Sequence, residues 1–221
     1  TQLARSGREL VMLLAPAGAV GTARIAVADR RGVVRFAQLG RIRAGSKLLP
    51  GRGHRVESRL PGLAVDPVGR RAFVVDRSLI AEVDLGNLAV SYHALEHKRS
   101  LLARLWNWLE PAASAKLING HHRQASWLDG GLLAVSGSNT EQGRMQPAGL
   151  FAVDTRTWEV RTIDAGGTSF TLADDVLFAW GGSWDAAARA GGRPWASSRP
   201  RWSRSTSASP RRATRSWPRT G

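Results

Sequence analysis

The 221-residue chain has no cysteine, which excludes disulfides, a thiolate metal site and a cysteine nucleophile. Lysine is nearly absent as well, with three residues against 29 arginines. A surface selected for positive charge normally uses both, so the bias reads as the mark of a GC-rich genome and not as an adaptation to nucleic acid. Long apolar runs are missing. The best is Leu10–Ala15, far short of the roughly 20 residues a membrane helix needs. Arg5 and Arg8 ahead of it suit the core of an export signal, but Pro16 and Gly18 break the run and a strand is the simpler reading.

Acidic residues are missing from the last 36 positions. Ala186–Gly221 holds nine arginines and no Asp or Glu, and also no Val, Ile, Leu, Met, Phe, Lys, Asn or Gln. With a net charge of +15 for the whole chain, the first 185 residues carry +6. A segment without large aliphatic residues builds no core and reads as a disordered tail. Its tryptophans, Trp195, Trp202 and Trp217, do not suit such a tail. The mixture of Arg, Ser, Ala, Pro, Gly, Thr and Trp is what GC-rich DNA encodes out of frame, so we read 186–221 as frameshift-derived. Arg with interleaved Trp would also contact nucleic acid non-specifically, through phosphates and base stacking.

What the chain does contain is repetition. Leu79-Ile80-Ala81-Glu82-Val83-Asp84 and Gly149-Leu150-Phe151-Ala152-Val153-Asp154 each end a strand in Val-Asp. Each is followed by a short polar turn and a new strand, at an offset of 70. Ser126–Gly137 and Phe170–Gly181 match at an offset of 44. Residues 96–122 interrupt the pattern: Ser100 caps a helix over Leu101–Glu110 that Pro111 ends, with Leu102, Leu105, Trp106 and Leu109 on one face. Subtracting those 27 residues from the first offset leaves 43, so both offsets describe one period. Strands are expected at Val11–Ala15, Ala23–Ala28, Val33–Leu39, Gly62–Val65, Ala72–Val75, Leu79–Leu85, Ala89–Leu95, Gln124–Leu128, Leu132–Ser136, Leu150–Asp154 and Glu159–Ile163. Lys47–Arg59 reads as a loop. Four short strands every 43 residues predict an all-β, β-propeller-like array of four-stranded antiparallel blades, because one such sheet cannot bury both faces alone.

Gly62-Leu63-Ala64-Val65-Asp66-Pro67-Val68-Gly69-Arg70-Arg71-Ala72-Phe73-Val74-Val75, running into Ile80–Val90, resembles the YVTN/WD40-like propeller repeats of bacteria. The likeness covers 60–95 well, 124–182 moderately and 10–45 weakly. It departs at Val68, where a polar residue is usual. The resemblance implies a fold shared by binding platforms and, more rarely, lactonase-type enzymes. It implies no particular reaction. The expected organisation is a partial propeller over 1–185, about three blades and the start of a fourth, with the helical insertion at 96–122 and the tail at 186–221.

No constellation stands out as catalytic. The five histidines, His54, His93, His97, His121 and His122, give no converging set for zinc, and His121 and His122 point opposite ways in a strand. Asp66, Asp76, Asp84, Asp129 and Asp154 stand at strand ends, where each caps its own turn. Trp106, Trp108, Trp127, Trp158 and Trp180 read as packing residues. No catalytic, metal or cofactor-binding residue is assigned, and no cofactor is implied. The one candidate partner surface is Leu102 with Trp106 on the insertion helix. The expectation is a non-enzymatic binding or scaffold module for an unidentified protein or small molecule, with a lactonase-like channel-site hydrolase as the alternative. Localisation stays open, the cell envelope being favoured over the cytoplasm.

Overall fold

Short apolar strands separated by Asp- and Gly-bearing turns fold locally, each onto the next. In the computed structural model, which describes residues 2–50, 55–95, 118–141, 143–173, 176–181 and 184–185, this gives a series of antiparallel meanders. β1 (Gln2–Ser6), β2 (Glu9–Leu14), β3 (Val20–Ala28), β4 (Val34–Leu49) and β5 (Arg55–Leu60) pair in order. β6 (Gly62–Asp66), β7 (Arg71–Val75), β8 (Leu79–Asp84) and β9 (Val90–Ala94) form a separate four-stranded sheet. β10 (Ile118–Leu128), β11 (Leu132–Glu141), β13 (Leu150–Asp154) and β14 (Val160–Asp164) form a third meander, with β12 (Arg144–Pro147) on the far half of β11. β15 (Gly167–Ala173) and β16 (Val176–Gly181) make a hairpin, and β17 (Trp184–Asp185) pairs with β12. Among the described residues there is no helix, and no helix long and apolar enough to cross a membrane.

The core lies between the sheets and follows the two-residue period of the strands. In β7, Ala72 and Val74 face the first meander, whereas Phe73 and Val75 face the third. Leu63 and Val65 of β6 and Ala81 and Val83 of β8 join the first set; Ala64 and Ile80 join the second. The second sheet is thus apolar on both faces, which is why Ala72–Val75 is a continuous apolar run and not an alternating one. The third meander repeats the arrangement, with Leu133 and Val135 toward the second sheet and Ala134 and Leu150 toward Phe170 of the hairpin. Sheets stacked face to face in sequence order make the fold all-β and propeller-like.

The repeated phrase becomes a repeated turn. Asp84 Oδ1 accepts the N–H groups of Gly86 (2.6 Å) and Asn87 (3.0 Å); Asp154 Oδ1 accepts those of Arg156 (2.8 Å) and Thr157 (3.3 Å). Leu88 N–H donates to Asp84 O at 2.8 Å, and Trp158 N–H to Asp154 O at 2.7 Å. Both residues take positive φ, 61° and 62°, a region bulky residues seldom enter. The offset-44 match has a physical basis too. A Cβ on Gly137 would strike His122 O, and one on Gly181 would strike Gly166 O, so at both matched positions a neighbouring carbonyl leaves room for no side chain.

Two expectations need correction, and one strand carried no expectation. Lys47–Arg59 is not a loop throughout: β4 runs to Leu49 and β5 starts at Arg55, because β5 gains partners on both edges, β4 antiparallel and β10 parallel. The insertion does not reach 122, since Ile118–His122 pair with β5 as the first half of β10. Gln2–Ser6, unassigned from sequence, is a strand paired with β2. The helix expected at 101–110, with Leu102 and Trp106, and the tail at 186–221 lie outside the described residues.

Candidate ligand groove between the inner strands

β1, β6 and the second half of β10 are the first strands of their units, and they lie side by side. Counting back from each hairpin aligns them: Gln2, Gly62, Gln124 and Ser169 each stand four residues before the last paired residue, Ser6, Asp66, Leu128 and Ala173. Two members of this column reach across to the next unit. Gln2 Nε2 donates to Pro61 O at 2.7 Å, and its Oε1 accepts the Leu63 N–H at 2.8 Å. Gln124 Nε2 donates to Phe170 O at 2.7 Å, and its Oε1 accepts the Phe170 N–H at 3.1 Å and the Ser169 hydroxyl at 2.8 Å. A primary amide presents the same donor and acceptor as a peptide group, so each Gln replaces a missing strand partner at an edge. At Gly62 the contact is direct: a Cβ there would lie 2.8 Å from Ala125 N and 3.0 Å from Arg123 O. Backbone meets backbone, and only glycine fits.

These strands wall an open groove of about 330 Å³. Ala4 and Arg5 line one side, Leu63, Ala64, Val65 and Pro67 the next, and Ala125, Ser126 and Trp127 the third. The Arg5 side chain is exposed and donates from Nε to Gly7 O at 3.1 Å; it makes no ion pair among the described residues. Trp127 is half-buried and rigidly backed. Its ring stacks on Phe73 at 5.5 Å between centroids, with 2° between the planes. The Arg71 guanidinium lies 5.4 Å from the Phe73 centroid and 5.8 Å from that of Trp127. Arg71 is itself held by Asp66 at 3.0 Å and Glu82 at 3.1 Å. Burial opposes its charge, but the two carboxylates outweigh burial and raise its pKa above the ordinary value.

Histidine–carboxylate pairs border the junction of the second and third sheets. His93 pairs with Glu82 at 3.1 Å and stacks on Trp158 at 3.4 Å. His121 and Asp76, both nearly buried, meet side chain to side chain. Burial would raise the Asp76 carboxyl; the hydrogen bond and charge of His121, the Arg77 N–H and the nearby Arg123 overcome it and hold the group below the usual aspartate range. His122 is exposed on the other side of the strand, and partial desolvation, then Arg123 and His121, lower its pKa.

The structure sorts the sequence expectations residue by residue. Asp66 Oδ1 caps its own turn through Val68 (3.1 Å) and Gly69 (2.8 Å), as Asp84 and Asp154 cap theirs. Asp76 differs, because it is committed to His121 across the sheet junction. Trp127 and Trp158 are packing residues at that junction, but Trp180 is not: its ring is 54% exposed on the outer face of the hairpin. His54 and His97 lie outside the described residues, and among those described no three His, Asp or Glu groups gather as metal ligands. Arg5, the Gln column and the Asp76–His121 pair were missed. The column could have been found by aligning the first strands on their hairpins; the Asp–His pair, 45 residues apart with an insertion between, left no local signal.

No family model and no curated protein matches the chain. Among solved structures, the chain is similar to the β-propeller domain of the Trilobed protease from Pyrococcus furiosus, described as having an open velcro topology. The identity is 12% and the TM-score 0.40, over 80% of this chain and 46% of that one; this chain thus spans about half of the structure it matches.

Proposed function

We propose that this chain is a non-enzymatic binding module and that its ligand seat is the groove between β1, β6 and β10. The observation that carries the reading is a backed aromatic ring, Trp127, beside an apolar floor of Leu63, Val65 and Pro67, with Arg5 among the residues of the opposite wall. Concave sites of a few hundred cubic ångströms with few polar groups are where small ligands bind. The chemistry selects a flat apolar body carrying an anionic group: the body covers Trp127 and the floor, and the anion meets Arg5. Ser126 supplies a hydroxyl on the same wall.

Titration calorimetry on the full chain with 2-naphthoate, and with 2-naphthamide as the uncharged match, tests this. The carboxylate is expected to bind more tightly by roughly tenfold, the usual order for a charge-assisted hydrogen bond. Arg5→Ala should abolish that difference while leaving amide binding in place. Equal affinity of the two probes, or an Arg5→Ala chain indistinguishable from the parent, refutes the assignment.

A further inference from the structure

The second sheet has a free edge inside the groove. β6 pairs with β7 on one side only. In an antiparallel ladder, bonded and non-bonded residue pairs alternate. Asp76 N–H donates to Leu79 O at 2.8 Å, and Leu85 N–H to Arg70 O at 2.9 Å. These two bonds fix the alternation: Ala72 and Val74 bond to β8, whereas Arg71, Phe73 and Val75 bond to β6. Their partners on β6 are Asp66, Ala64 and Gly62. Leu63 and Val65 therefore turn their N–H and C=O groups away from the sheet. The Leu63 N–H agrees, since it donates to Gln2 Oε1. Gln2 Nε2 donates to Pro61 O, so its amide fills the first step of the edge. Pro67, the next residue on this edge, has no N–H. Between these ends lie Leu63 O, Val65 N–H and Val65 O, with no hydrogen-bond partner among the described residues.

We propose, on the reading that the groove is the ligand seat, that its occupant is an extended peptide segment added as a strand to the edge of β6. Leu63 and Val65 bury their side chains against the first meander, yet both line the groove, so their main-chain edge faces it. A run of main-chain donors and acceptors selects another main chain. Gln2 shows the same preference at the adjoining step, where the group that docks is an amide. Whichever way the segment runs, one residue of it accepts the Val65 N–H on its C=O and donates its own N–H to Leu63 O or Val65 O. Successive side chains of a strand point to opposite faces, so those of the segment meet the two walls in turn. On the side of the third meander stand Ala125 and the Trp127 ring, backed by Phe73. On the side of the first meander stands Ala4, packed on the first core cluster. The flat apolar body is then an aromatic side chain laid against Trp127.

Calorimetry on the full chain tests this with the uncharged peptide acetyl-Ala-Ala-Phe-Ala-Ala-amide and a series in which one amide at a time is an ester. An ester keeps the shape and lacks the N–H. One position is expected to lose roughly tenfold in affinity, the order for a buried acceptor left unpaired, while the positions beside it change little. Saturating peptide should slow solvent exchange of the Val65 N–H by roughly tenfold or more. Exchange of the Leu63 N–H, already held by Gln2, should not change. Val65→Pro removes only a groove-facing donor, which a sheet edge tolerates, and should weaken the peptide by roughly tenfold. Where that variant does not fold, the ester series and the exchange measurement on the unaltered chain decide. An ester series in which every position costs the same overturns the proposal, as does Val65 exchange that the peptide does not slow. A chain that binds 2-naphthoate but not the peptide overturns it and leaves the groove reading standing. A chain that binds neither overturns both.

Discussion

The second sheet and the closing hairpin are built from the same kind of strand, yet they end in opposite environments. β7 has Ala72, Phe73, Val74 and Val75 all at 0% exposure, since a sheet lies on each side. β16 is as apolar, with Val176, Leu177, Phe178, Ala179 and Trp180 in a row, but Val176, Phe178 and Trp180 are 50–54% exposed. Strand sequence alone therefore does not decide burial here; the number of neighbouring sheets does. An apolar residue stabilises the fold in proportion to the area it removes from water, so the two strands should respond very differently to the same substitution. Phe73→Ala removes a ring that touches Trp127, Trp158 and Arg71 and should cost about 3–5 kcal/mol. Phe178→Ala, measured by denaturant unfolding at a concentration that keeps the chain monomeric, should change stability by less than about 0.5 kcal/mol. Similar losses at both sites would mean that the hairpin face is covered within the single chain.

The same comparison explains what could be read from the residues in advance. The outer turns were legible because their chemistry is local: Asp84 and Asp154 bond N–H groups two and three residues on, so the whole device sits in one short phrase and recurs as one. The two-faced burial of the second sheet was legible as the unbroken apolar runs Leu63–Val65 and Ala72–Val75. The groove was not legible. Its walls come from β1, β6 and β10, strands of separate units that only stacking places side by side. Trp180 was misread because packing was inferred from residue type, whereas its exposure depends on a neighbour that the described chain does not supply.

The junction between the second and third sheets offers a finer comparison, since it mixes apolar contact with histidine–carboxylate pairs. Asp76 is held below the ordinary aspartate pKa in the folded state. A depressed carboxyl contributes stability above its unfolded pKa, near 3.9, and that contribution disappears as pH falls through the lower folded value. Asp76→Asn should therefore cost about 1–3 kcal/mol at neutral pH, for a buried partner left poorly matched. Below pH 4 the gap between Asp76→Asn and the parent should narrow. Unfolding midpoints from pH 7 to pH 2 check this; a gap that is constant with pH would show that Asp76 acts by shape and not by charge.

The smallest expected effect compares the twin turns. Leu88 and Trp158 hold the same left-handed backbone, which costs a residue with a Cβ roughly 1–2 kcal/mol. Glycine removes that cost at either site, so any difference between the two substitutions reports the side chain alone. Leu88 is half-buried against the first core cluster, a modest contact that the relaxed backbone should nearly offset, so Leu88→Gly should lie within about 1 kcal/mol of the parent. Trp158 stacks on His93 and lies 6.4 Å from the Phe73 centroid, contacts that join two sheets, and Trp158→Gly should be destabilising despite the same relief. Chemical unfolding of the two variants side by side decides the matter. If both were equally mild, the left-handed position would be a property of the turn alone, and the large side chains there would not be what couples one sheet to the next.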